Sequence, residues 1–175
     1  MVKICMKLNK YYHANLFRIM IGIFFLIIGA LVYLIDRPSN STYFVYHYNF
    51  MLNFHNIIPN IFGPLSNSLP DFIHVFSFIM ITAGVLSCGK TGGLIVSIFW
   101  LLIDTSFEIG QKYPSVPLKF IPDSFSNTPI LEATKCYFQE GTFDIIDLFA
   151  IMLGSIIAYL LILITIKKRK VVLKN

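Results

Sequence analysis

Four runs of apolar residues, each bounded by charged or turn-forming positions, organise the chain, over about residues 16–35, 71–88, 94–109 and 143–166. A helix crossing a membrane needs about 20 such residues. The runs are continuous, whereas a membrane barrel would show many alternating segments of about 10 residues. The pattern therefore predicts an all-α fold. Residues 1–175 form one integral membrane bundle of four transmembrane helices, the third of them short.

Composition agrees with that class. Of 175 residues, 56% are hydrophobic and 13% charged, with a mean hydropathy of +0.72. A soluble domain carries roughly a quarter of its residues as charges.

Charge then orients the bundle, because short cytoplasmic loops carry an excess of lysine and arginine. Lys3, Lys7, Lys10, Arg18, Lys90, Lys167, Lys168, Arg169, Lys170 and Lys174 map to one side, leaving Arg37, Lys112, Lys119 and Lys135 on the other. Both termini are expected in the cytoplasm. The acids agree, since all nine map to the outer side or to the outer half of a helix. The first run is too long for a signal-peptide core and leads into Leu34, Ile35, Asp36, Arg37 and Pro38 with no small-residue cleavage site, so it is expected to stay as an anchor.

A net charge of +5 raises the question of nucleic acid. The basic residues are dispersed around helix ends with no aromatic-interleaved groove, so membrane lipids are the expected partners and nucleic acid is not. Cys5 and Cys88 fall on the reducing side and Cys136 stands alone outside, which leaves no intramolecular disulfide.

Two long external stretches connect the helices. In residues 36–70, Phe44, Tyr48, Met51, Leu52 and His55 follow helical spacing and predict an interfacial helix on the outer surface. In residues 110–141, Pro129 to Phe138 predicts a short helix. Gly84 to Thr91 spell G-x-x-x-x-G-K-T, but a phosphate-binding loop must follow a strand, and this stretch ends an apolar helix.

The candidate chemistry lies in ionisable residues within the apolar runs: His74, Asp104, Glu108, Asp144 and Asp147. A charge in hydrocarbon costs roughly 3 kcal/mol on insertion scales, so such residues are rare unless paired or used. Antiparallel neighbours bring all five near one depth in the outer leaflet. Asp104, Glu108 and Gln111 share one helix face, as do Asp144 and Asp147. Asp71 and Asp144 also fit as helix-start residues, which the positive end of a helix favours. Asp104 and Glu108 lie toward a helix C-terminus, where the dipole opposes negative charge. They need a cation, a proton or a donor, and His74 is the nearest candidate.

His74 in one helix, E-x-x-Q at Glu108 and Gln111, D-x-x-D at Asp144 and Asp147, and Gly154 seven residues on form a pattern that resembles the VanZ-like membrane proteins. The resemblance covers about residues 70–161 and departs from the family at Ile151, at the residue before Asp144 and in the long 110–141 loop. It implies a small multi-helix bacterial protein of the plasma membrane and cell envelope. One member of that family is associated with resistance to a glycopeptide antibiotic.

Two classes of function follow. In the first, the polar site acts on or binds a lipid-linked or cell-envelope molecule, with Glu108 or Asp147 as general base and His74 as partner. A variant has the carboxylates and His74 hold a divalent metal. In the second, the protein is not a catalyst and binds a lipid, an antibiotic or a protein partner through the same pocket and the outer loops. The plainest alternative is that the polar groups only join the helices. Gly154 and Ala158 form a small-xxx-small pair suited to close packing within the bundle or in a helix-mediated oligomer.

Overall fold

A computed structural model of the chain describes residues 14–36, 62–121 and 129–172. The interfacial helix expected over residues 44–55 lies outside them. Among the described residues six α-helices follow one another: α1 Leu16–Asp36, α2 Leu69–Val85, α3 Lys90–Lys112, α4 Ser115–Leu118, α5 Pro129–Glu140 and α6 Ile145–Val172. A 3-10 turn, Gly63–Ser66, precedes α2, and the described residues contain no strand. The helices α1, α3 and α6 are long and apolar enough to cross a membrane, while α2 has 17 residues.

Glycines determine how closely these helices pack. The helices α1 and α2 run antiparallel, and a Cβ at Gly22 would lie 2.9 Å from the Ser77 carbonyl oxygen. The helix α6 runs parallel to α2, where a Cβ at Gly154 would lie 2.7 Å from both the Phe72 carbonyl oxygen and Val75 Cγ1. Ala158 is fully buried. The Gly154 and Ala158 pair is thus used inside the molecule, and the core of Val75, Ile79, Met80, Val96, Ile151 and Ile162 forms around it.

The third helix is longer than its apolar run of 94–109. It begins at Lys90 and includes Gly92 and Gly93, residues that disfavour a helix interior. Tertiary contact offsets that cost, since a Cβ at Gly93 would meet Ile162 Cγ2 at 2.7 Å. The turn from α2 to α3 is tight. Ser87 adopts a left-handed φ of 47°, the Cys88 N–H reaches back to the Ala83 carbonyl at 3.0 Å, and the Ser87 N–H reaches the Gly84 carbonyl at 3.1 Å. These are the paired bonds of a Schellman helix end.

Arg18 lies inside the bundle rather than at its flank, and only 2% of it is exposed. Its Nε donates to Thr165 Oγ1 at 2.8 Å, Nη1 to the Cys88 carbonyl at 2.8 Å and Nη2 to the Ile162 carbonyl at 3.1 Å. A longer bond from Nη1 reaches the Ala83 carbonyl at 3.4 Å. The guanidinium fork thus serves carbonyls that close α2 and a carbonyl and hydroxyl late in α6. A cation suits a helix C-terminal end, where the dipole is negative.

The opposite end of the bundle is acidic. Asp36 closes α1 there, and its Oδ2 accepts the Phe62 N–H at 3.0 Å. Exposed apolar side chains such as Leu102, Phe149, Leu160 and Ile164 cover the flanks between the two ends.

Candidate functional site

At the acidic end, α2 and α3 bring His74 and Asp104 together. His74 Nδ1 lies 3.2 Å from Asp104 Oδ2, with the histidine side chain half exposed and that of the aspartate 8% exposed. An ionised carboxylate only accepts hydrogen bonds. With Asp104 ionised and the ring neutral, this contact requires the hydrogen on Nδ1 and leaves the lone pair on Nε2. Among the described residues His74 has no second hydrogen-bond partner.

Aromatic rings continue from this pair along the seam between α2 and α3. The imidazole meets Phe78 edge-on at 4.4 Å, and Phe78 stacks on Trp100 at 4.7 Å and 26°. Trp100 Nε1 donates to Thr82 Oγ1 at 3.0 Å. Sequence reading did not assign Phe78, Thr82 or Trp100 to the site. The signal was weak, because aromatic residues in an apolar helix are ordinary core material.

The other acids gather one turn farther out, about 5.4 Å along the α3 axis. Glu108 is 2% exposed, and its Oε1 accepts the backbone N–H of Asp144 at 2.9 Å. Asp144 immediately precedes α6, and its Oδ1 accepts the Ile146 N–H at 2.9 Å, which is an N-cap bond. Asp147 follows in the first turn of α6, within electrostatic reach of Glu108. In a capping box, the acid three residues after the cap takes the cap residue's N–H. Here Glu108 of a different helix takes it. The first Asp of the D-x-x-D pattern therefore has a structural task at the start of α6. Asp71 likewise lies in the first turn of α2.

Gln111 faces the link between α5 and α6. A Cβ at Gly141 would lie 2.7 Å from Gln111 Cδ and 2.8 Å from Nε2. Lys112 Nζ sits 4.9 Å from the centre of the Phe143 ring. The last turn of α3 thus holds positions 141, 143 and 144 in succession. The short helix expected from Pro129 to Phe138 is present as α5. Its Phe138 ring stacks on Phe107 at 5.5 Å and packs where Gly110 lacks a side chain.

The six sequence-derived residues accordingly form two layers rather than one depth. His74 and Asp104 make the inner pair; Glu108, Asp144 and Asp147 ring the start of α6, with Gln111 beside them. Among the described residues, no three His, Cys, Asp or Glu side chains converge as metal ligands do. A shallow apolar depression of about 300 Å³ lies elsewhere on α3, lined by Phe99, Leu102, Ile103, Ser106 and Phe107. Leu102 and Asp104 are two residues apart and project to opposite sides of the helix.

The Gly84 to Thr91 motif has a purely architectural setting. It follows a helix, contains the Schellman turn, and has Gly89 as the N-cap of α3. Its Cys88 carbonyl is committed to Arg18. No protein-family model, curated protein or solved structure matches the chain.

Proposed function

We propose that this chain is a polytopic membrane protein of the VanZ-like type, acting on or binding a lipid-linked or cell-envelope molecule through the His74 and Asp104 pair. In this reading α2 is a fourth span, both termini lie in the cytoplasm, the membrane is a bacterial plasma membrane, and the acidic end belongs to its outer leaflet. The observation that carries the proposal is the half-exposed imidazole whose Nδ1 lies 3.2 Å from a nearly buried carboxylate. Within an apolar helix, an ionisable pair that only joined helices would be better shielded. Asp104 orients the ring, and Nε2 is presented to whatever approaches along α2 and α3. That arrangement suits a general base that takes a proton from a hydroxyl or a water.

Glu108, Asp144 and Asp147 have a different part. The bonds of Glu108 and Asp144 fix the start of α6, and with Asp147 in its first turn the three acids form a rim above the pair. A binding protein without chemistry is the second reading, favoured by the capping geometry of Glu108 and Asp144. The two readings separate in bacteria expressing the wild type, His74→Asn or Asp104→Asn, matched for membrane insertion. Mass spectrometry of envelope lipids and lipid-linked precursors should show a change with the wild type that both variants lose. Identical profiles for the wild type and His74→Asn would overturn the catalytic reading.

A further inference from the structure

We propose that Thr82, Trp100 and Phe78 form a positioning chain for His74, holding its imidazole so that one tautomer faces Asp104. This goes beyond the assignment of the pair and rests on it only for the purpose that the orientation serves.

A half-exposed imidazole has few neighbours to fix its χ2, a broad and roughly two-fold torsion. One hydrogen bond to Asp104 constrains Nδ1 but leaves the ring free to swing about that contact. Phe78 supplies a second constraint, since its ring meets the imidazole at an interplanar angle of 67°. Phe78 is itself only half-buried and leans on Trp100, whose indole is fixed at its far edge by the bond to Thr82. The arrangement alternates between helices, with Thr82 on α2, Trp100 on α3, then Phe78 and His74 on α2.

The Thr82 bond also explains why an indole occupies this place. Tryptophan in an apolar setting needs a partner for its N–H. Thr82 provides that partner two turns from the polar site, so the ring column is anchored at both ends: by a hydroxyl at Thr82 and by a carboxylate at Asp104. Loss of either anchor releases the rings between them. None of the three positioning residues exchanges a proton with a ligand.

The test reads the ring itself. Full-length protein with His74 as its sole histidine is labelled with 15N-histidine, reconstituted in phosphatidylglycerol and phosphatidylcholine bilayers, and studied by solid-state NMR. The unaltered site should show a single neutral tautomer, hydrogen on Nδ1. Thr82→Val removes the acceptor at nearly constant shape, and Phe78→Leu removes the ring. Each should yield mixed tautomers and loss of the single resonance, while Thr82→Ser restores it. The emission of Trp100, the sole tryptophan, should shift in Thr82→Val and return in Thr82→Ser. Unchanged tautomer signals in both Thr82→Val and Phe78→Leu, with the bundle folded, would overturn the chain. That failure is distinct from failure of the catalytic reading, because the lipid-profile comparison does not depend on these three residues.

Discussion

The carboxylate of Glu108 accepts the backbone N–H of Asp144 at 2.9 Å, so a residue of α3 completes the cap of α6. A fully buried N–H deprived of its acceptor costs about 1–3 kcal/mol, and this half-buried one up to that. Glu108→Ala should therefore lower the thermal midpoint of the protein in detergent, followed by size-exclusion chromatography. Glu108→Gln keeps an amide oxygen at the same place and should retain most of the stability. Equal losses in both would show that charge, rather than the acceptor, matters.

Replacing Arg18 should be more damaging than replacing any single carboxylate. Hydrogen bonds from a charged donor contribute about 1.5–3 kcal/mol each, and Arg18 makes several across α1, α2 and α6. Arg18→Met should reduce stability by roughly 3 kcal/mol or more on that scale. Lysine cannot reproduce the planar fork, so Arg18→Lys should fall between the two. Chemical denaturation in mild detergent measures the series, and a wild-type midpoint for Arg18→Met would contradict the described network.

At Gly154 the helices α2 and α6 approach so closely that a Cβ would lie 2.7 Å from the Phe72 carbonyl oxygen. Overpacking a filled interface costs typically about 1–3 kcal/mol. Gly154→Val should destabilise the bundle and separate α2 from α6, detectable as reduced cysteine cross-linking between residues placed at 72 and 153. Alanine at the same site should have a smaller effect of the same sign.

Cys136 on α5 provides a probe of the acidic end. Burial raises its thiol above the ordinary range, and the charges of Glu140 and Glu132 raise it further. Only the thiolate reacts with maleimide. Labelling in a Cys5→Ser background should thus be slow at neutral pH and accelerate at a higher pH than for a free thiol. Glu140→Gln should bring that acceleration back toward neutral pH; an unchanged profile would place Glu140 too far away to act.

The helical class was legible because hydrophobic runs of about 20 residues have few other uses. The helix start at Lys90 was not legible, since two glycines read as a break until Ile162 is seen packed against the second of them. Sequence depth placed His74 near Asp104 and Glu108 alike, and only the side-chain geometry sets its Nδ1 against Asp104. Asp144 was equally readable as a cap or as a ligand, and its bond to the Ile146 N–H supports the cap. Arg18 resisted sequence reading altogether. Its acceptors include backbone carbonyls up to 144 residues away, and carbonyls carry no side-chain signature.

The wide sequence separation of those acceptors bears on biogenesis. A chain still being synthesised, with only α1 to α3 made, can offer Arg18 the carbonyls of Ala83 and Cys88 but neither Ile162 nor Thr165. Helix α1 thus contains a guanidinium whose partners are completed only by α6. Until α6 arrives, that group is better served by water than by a half-formed interior. Helix α1 should consequently settle late, reaching its final packing when α6 docks.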